Sequence, residues 1–404
     1  MTTTPAEKRR LIRGVVVVGI GLAVPQGLAY VTSVVAARTL DQASFGAFGA
    51  ILNSIQIGTT VALGMQALIA RRVASMKNYG SLLKFALEVS LIVLVGVALL
   101  SYPLSYLFDI EYWILFLALA SLAPFVFISA QAGIAQGNEF FFRLAGIYIV
   151  LGLGRSIFAI LGLLVNPVLE VVAYSFFFGM LGSAFIGHFI LGSHRKFIKA
   201  KRINHEYPGL VKATQALLAL YVLVNVDVLL ARVVLSPEES GIYSVGMLVA
   251  KIAFFLPQAV TVVLFPRMGN NDSSALRLAF LGTSGIGFLY ILLGYFGSEF
   301  VVNAIGGSNY EVLYKDVWLF ALEGTLFAIL QVLLYGRIAR EDTRVSIMLW
   351  IGSIIASLLV VFVFARTIET VVLVLIGITF VLIIIAAITE KNHRTNKRKG
   401  SSHT

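Results

Sequence analysis

The sequence predicts an all-α polytopic membrane protein: about twelve transmembrane helices in two pseudo-symmetric six-helix lobes. Three observations predict it. Hydrophobic residues make up 59% of the 404 and charged residues only 13%, with a mean hydropathy of +0.92. Soluble domains carry about 25% charged residues, so the charge here is too sparse to cover a soluble surface and lipid must cover much of it. The apolar residues gather into runs long enough to cross hydrocarbon, which takes about 20 residues. The first six runs also resemble the second six.

In chain order the runs lie at 11–37, 45–70, 81–107, 112–137, 143–165, 168–192, 209–235, 241–266, 275–297, 313–338, 344–366 and 368–389. Lys8, Arg9, Arg10 and Arg13 precede the first run like the head of a signal peptide, but that run is too long for a signal core and more spans follow, so it is read as retained. Pro25, Pro124 and Pro257 fall inside runs and should kink or loosen their helices by removing a hydrogen bond. Gly152-Leu153-Gly154 and Gly179-Met180-Leu181-Gly182 are read as close helix packing.

The basic residues set the orientation. Of 31 Lys and Arg, 25 fall on the side of the N-terminus, the loops after even-numbered runs and the C-terminal tail, and four (Arg38, Arg232, Lys315, Arg366) fall on the other. Positive residues stay inside, so both termini are placed in the cytoplasm of a multi-pass protein of the plasma (inner) membrane. This placement accounts for the net charge of +11 without nucleic acid. The tail Lys391–Lys399 is expected to rest near anionic headgroups. The organisation read from this is an N-terminal lobe at 1–192, a basic cytoplasmic linker at 193–208, a C-terminal lobe at 209–389 and a basic tail at 390–404. The loops are too short to hold a soluble domain.

Several chemistries are excluded. No cysteine is present, so there is no disulfide framework or thiolate metal site. His and carboxylates are not clustered, so no metal site is expected. No G-x-x-x-x-G-K-[ST] loop exists for ATP hydrolysis. No cofactor is expected beyond a coupling ion, proton or sodium.

The stretch Asn225–Arg267 organises the rest. Two apolar segments flank the turn Ser236-Pro237-Glu238-Glu239-Ser240-Gly241, with Asp227 in the first and Lys251 in the second. At 1.5 Å per residue these charges lie about 12 and 15 Å below the turn, within reach of each other across a hairpin. The first half holds a matching hairpin, ARTLDQASFGAFGA followed by Arg71-Arg72. Gly46 aligns with Gly241 and Arg72 with Arg267 at one common offset of 195 residues. Six spans repeated in the same orientation make a parallel repeat, a transporter build with its site between the halves.

These hairpins, the pattern Asn225-Val226-Asp227 … Arg232 … Gly241-Ile242-Tyr243-Ser244 … Lys251 … Leu264-Phe265-Pro266-Arg267 and the twelve spans resemble the polysaccharide transporter family. That family includes the O-antigen and oligosaccharide-lipid flippases, and belongs to the superfamily of multidrug, oligosaccharidyl-lipid and polysaccharide exporters. The resemblance implies a central cavity and the flipping of undecaprenyl-pyrophosphate-linked sugars from the cytoplasmic to the outer leaflet. It implies membrane lipids as surroundings, action as a monomer, and glycosyltransferases and a polymerase nearby.

Flipping needs a wet cavity with cations for a diphosphate and hydrogen-bonding groups for sugar. Arg155, about 15 Å deep in the fifth run, and Tyr148 on the same helical face are candidates. Arg155 has an alternative as an ion pair with Glu323, which lies at similar depth in the tenth run. Asp227 and Lys251 are either a fixed ion pair or a coupling site in which Asp227 takes a proton or sodium ion and releases Lys251. Glu323 is grouped with them as an ion-coupling or gating candidate. Gln26, Asn53, Gln56, Gln131, Gln136, Asn225, Gln258 and Gln331 are intramembrane polar residues that either line the cavity or bond helix to helix. Arg71, Arg72 and Arg267 are candidates for drawing a pyrophosphate to the cytoplasmic mouth.

Arg38 and Arg232 read as snorkelling anchors at outer helix ends. Tyr30, Tyr102, Tyr112, Trp113, Tyr243, Tyr310 and Trp318 read as an interface belt. Two rivals to the flippase stand. A multidrug or small-cation exporter would carry more carboxylates and fewer cations in its cavity. A membrane polymerase or ligase acting on lipid-linked sugars would present a catalytic outer loop.

Overall fold

The computed structural model describes residues 5–73, 79–192, 207–255, 273–338, 343–363 and 367–401. Their regular structure is entirely helical, and eleven helical segments among them are long and apolar enough to cross a membrane. The run expected at 241–266 is described only as far as Phe255.

The chain divides into two compact units, Met1–Leu218 and Ala219–Thr404. The first holds α1 (Pro5–Thr39), α2 (Gln42–Val73), α3 (Tyr79–Phe108), α4 (Tyr112–Ala120), α5 (Leu122–Gly137), α6 (Phe141–Val165) and α7 (Leu169–Ile190). The division falls inside α8 (Tyr207–Val234). The second continues with α9 (Pro237–Phe255), α10 (Ser273–Phe296), α11 (Ser298–Ile305), a 3-10 segment Ser308–Lys315 and α12 (Val317–Ile338). It ends with α13 (Thr343–Leu358), which runs into a π-helical turn at Leu359–Val363, and α14 (Ile368–Ser401).

The fourth span is two helices rather than one. α4 stops at Ala120 and α5 starts at Leu122. Pro124 explains the break: it has no N–H to give Ala120 and its ring presses on that carbonyl. At the break the Ser121 hydroxyl donates back to the Ala118 carbonyl at 2.6 Å.

Each unit has its own core. In the first, Met65, Ile69, Phe85, Val126, Ile134 and Ile147 bring α2, α3, α5 and α6 together. In the second, Leu223, Phe327, Leu330, Leu349 and Leu382 join α8, α12, α13 and α14. Helix pairing repeats between them. Within each set of six spans the second packs on the fourth, the third on the fourth and the fourth on the sixth, as α2 on α5 and α9 on α12. Leu99, Phe158, Leu289 and Phe362 stay exposed on the periphery, where lipid is their solvent.

The two hairpins expected from the repeat are built alike. Asp41 caps α2, accepting from the Ser44 amide at 2.9 Å and the Ser44 hydroxyl at 2.7 Å. Ser236 and Glu239 cap α9 reciprocally, with Pro237 opening the helix: the Ser236 amide donates to Glu239 Oε2 at 3.1 Å and the Glu239 amide to Ser236 Oγ at 3.2 Å.

Candidate functional site

In the C-terminal unit the candidate site forms where α9 crosses α12. The crossing is close because small residues line it. The Phe320 ring lies over Gly246, and a Cβ at Gly324 would collide with the Ala250 backbone carbonyl. Contact at Ala250 and Gly324 fixes their chain neighbours, Lys251 and Glu323. α8 brings Asp227 to the same place, fully buried. The Tyr243 hydroxyl donates to Asp227 Oδ2 at 3.2 Å. The Lys251 charge acts on Asp227, the Asp227 charge acts on Glu323, and both carboxylates act on Tyr243.

The structure thus brings Asp227, Tyr243, Lys251 and Glu323 into one cluster. Both Glu323 oxygens and Asp227 Oδ1 are buried with no hydrogen-bond partner. Two carboxylates face one ammonium, and burying an uncompensated charge is costly. A proton or a monovalent cation would balance the cluster.

In the N-terminal unit the corresponding cation is Arg155, in the middle of α6. α6 and α7 touch backbone to backbone beside it, because Gly154 and Gly179 face each other. Ser183 ties the crossing together, its hydroxyl lying 2.8 Å from both the Val150 and Gly179 carbonyls. The Arg155 guanidinium lies over the Phe176 ring at 5.6 Å from its centroid. Within this unit no described carboxylate pairs with it. Arg155 belongs to the first unit and Glu323 to the second.

Two turns earlier on α6, the Tyr148 hydroxyl accepts from Gln66 Nε2 at 2.6 Å, and Gln66 Nε2 also donates to Gln136 Oε1 at 2.8 Å. The other amides behave differently from one another. Asn53 and Asn225 are buried and donate back to the carbonyls four residues earlier, Gly49 and Tyr221, at 2.7 Å each. Gln131 Nε2 donates to the Ala184 carbonyl at 2.9 Å. Gln331 is buried and partnered, Gln56 is half-buried and Gln26 is exposed. Arg71 and Arg72 end α2, the first exposed and the second half-buried, both with partners. Gln258 and Arg267 lie outside the described residues.

Three expectations are corrected. Tyr243 is not part of an interface belt: it is 0% exposed and bonded to Asp227. α9 begins at Pro237, so Tyr243 sits six residues, about 9 Å, below the helix start rather than at it. Tyr310 is also not a belt residue, being 1% exposed within the 3-10 segment with its ring on Gly306. Arg232 is no snorkelling anchor: it is buried, and its guanidinium donates to Ser240 Oγ at 3.2 Å. Arg38 is exposed, and Tyr102, Tyr112 and Trp113 stand exposed near span ends.

No family model matches the chain, and no curated protein matches it in sequence. Solved structures do match in fold. An inward-facing multidrug resistance MATE family transporter of the MOP superfamily superposes with a TM-score of 0.71 at 13% identity, covering 95% of this chain and 99% of its own. The lipid II flippase MurJ, in an inward closed conformation, gives 0.71 at 15% identity over 93% of this chain and 87% of its own. A MOP superfamily transporter from Pyrococcus furiosus Vc1, described as having a binding pocket of reversed polarity, gives 0.53 at 12% identity over 97% and 98%. At these identities the likeness is one of architecture, and the chain has the polytopic helical fold of the MATE and MurJ transporters.

Proposed function

We propose that this chain is a flippase. It carries a lipid-linked oligosaccharide, a repeat unit on a polyprenyl diphosphate, from the cytoplasmic to the outer leaflet of the plasma membrane for surface polysaccharide assembly. Transport is by alternating access, coupled to a proton or sodium gradient. Arg155 is the observation that carries the reading. A guanidinium halfway along a membrane helix, seated on an aromatic ring with no carboxylate partner among the described residues of its own unit, is a costly feature that an anionic passenger would repay. The unbalanced Asp227–Lys251–Glu323 cluster supplies a place for the coupling ion. The fold shared with a lipid II flippase supports the choice of a lipid-linked substrate.

The second reading, a multidrug or small-cation exporter, is favoured by the two buried carboxylates and by the fold shared with MATE transporters. A polymerase or ligase gains no support, because the longest outer connection is folded into α11 and a 3-10 segment packed on its own unit.

Gene deletion complemented with wild type, Arg155→Lys, Arg155→Ala or Asp227→Asn tests this. The flippase reading expects deletion and Arg155→Ala to remove surface polysaccharide and trap the lipid-linked repeat in the cytoplasmic leaflet. Arg155→Lys should restore part of the flux, and Asp227→Asn should weaken its dependence on the ion gradient. Normal polysaccharide with raised sensitivity to cationic drugs selects the exporter. Flipped but unpolymerised units select the enzyme.

A further inference from the structure

We infer that Gln66, Gln136 and Tyr148 form a hydroxyl-recognising subsite for a sugar of the passenger, with Gln66 the specificity-determining residue. This rests on the flippase reading and extends it from the diphosphate to the sugar.

The cluster is preorganised by backbone packing. α2 and α5 touch at Gln66 and Gly133, where a Cβ on the glycine would lie 2.7 Å from the Gln66 carbonyl, and again at Ala70 and Gly137. That contact holds the Gln66 side chain beside α5, where its amide spans to Gln136, and across to Tyr148 on α6. Both Gln66 Nε2 hydrogens are spent inside the cluster. Gln66 Oε1, the Tyr148 hydroxyl hydrogen and the Gln136 amide hydrogens have no partner among the described residues. Gln136 is exposed and the other two are half-buried, so these atoms are open rather than sealed in the core.

One acceptor and two sets of donors, all neutral, fixed on three helices, match neighbouring sugar hydroxyls, each of which donates and accepts. They offer no charge to a drug cation and no counter-charge to a phosphate. Tyr148 lies seven residues before Arg155 on the same face of α6, about 10 Å away. One helix face therefore presents a hydroxyl-binding group and, two turns on, a cation. A sugar diphosphate spans both. The bland alternative, a glutamine bridge that only ties helices together, predicts no ligand dependence.

Purified full-length protein and two probes decide it: a polyprenyl diphosphate bearing one N-acetylhexosamine, and the same lipid without sugar. The wild type is expected to hold the glycosylated probe about tenfold more tightly, the worth of one or two net hydrogen bonds. Gln66→Leu should reduce that preference to within about twofold while leaving the bare lipid's Kd unchanged. Tyr148→Phe keeps the ring and removes only the hydroxyl. It should lose part of the preference, and it decides the matter if Gln66→Leu does not fold. Equal binding of both probes by the wild type overturns the subsite and leaves the flippase standing. So does a preference that survives both variants. Binding of neither probe overturns both.

Discussion

The two units share a plan and differ in what they do with it. In each, the second span packs on the fourth behind a capped hairpin, and in each a close crossing of helices positions an intramembrane charge. The N-terminal unit sets a single guanidinium on an aromatic ring. The C-terminal unit sets two carboxylates and an ammonium around a tyrosine. The common offset of 195 places Phe48 where the second unit has Tyr243. Phe48 is packed near Phe176, whereas Tyr243 packs edge-on to Phe320 and also donates to Asp227. One hydroxyl thus turns an apolar anchor into part of a polar site. The first hairpin's Arg38 is exposed and its partner Arg232 is buried. The two halves share a frame, and they place different chemistry on it.

This asymmetry can be broken at its strongest point first. Gly324→Val should be the most damaging change, because even a Cβ meets the Ala250 backbone, which cannot swing aside. Overpacking costs typically about 1–3 kcal/mol and more where backbone must move. The expected result is little folded protein by size-exclusion chromatography, while Gly182→Val, at an open position, folds normally.

Next come the paired arginines. Arg232→Met should lower stability by about 1.5–3 kcal/mol, the net worth of a hydrogen bond from a charged group, whereas Arg38→Met should stay within about 0.5 kcal/mol. Thermal unfolding of both variants in the same detergent checks this, and equal losses would erase the distinction between the hairpins.

The helix caps should matter less than Arg232. Asp41→Ala and Ser236→Ala should each cost about 1 kcal/mol. They should differ in pH dependence. The Ser44 amide and hydroxyl hold the Asp41 carboxyl below its ordinary 3.8. Its folded value is depressed, so its contribution is present above about pH 4 and disappears as pH falls through the lower, folded value. Melting from pH 5 to pH 3 should narrow the gap between wild type and Asp41→Ala and leave the Ser236→Ala gap unchanged.

The spans were legible because lipid imposes length: a helix must run about 20 apolar residues to cross. The caps were legible because Asp41-Gln42-Ala43-Ser44 and Ser236-Pro237-Glu238-Glu239 carry their own start signals. Which side of each helix faces protein was not legible. In water an apolar stripe marks the inward face, but in lipid both faces are apolar and the stripe vanishes. The sequence alone therefore places Tyr243 and Arg232 at the interface, whereas the fold buries both. Nothing in the sequence pairs Gln66 with residues 70 and 82 positions away; the α2–α5 contact and the seating of α6 on α5 create that pairing.

Where Ala250 lies against Gly324, no side chain is interposed to slide or re-pack. α9 and α12 therefore travel as a welded plate, with Tyr243, Lys251 and Glu323 riding on it. Asp227 rides on a different rod. It meets the plate through the Tyr243 hydroxyl, so the four groups of the cluster are shared between one rigid crossing and a third helix.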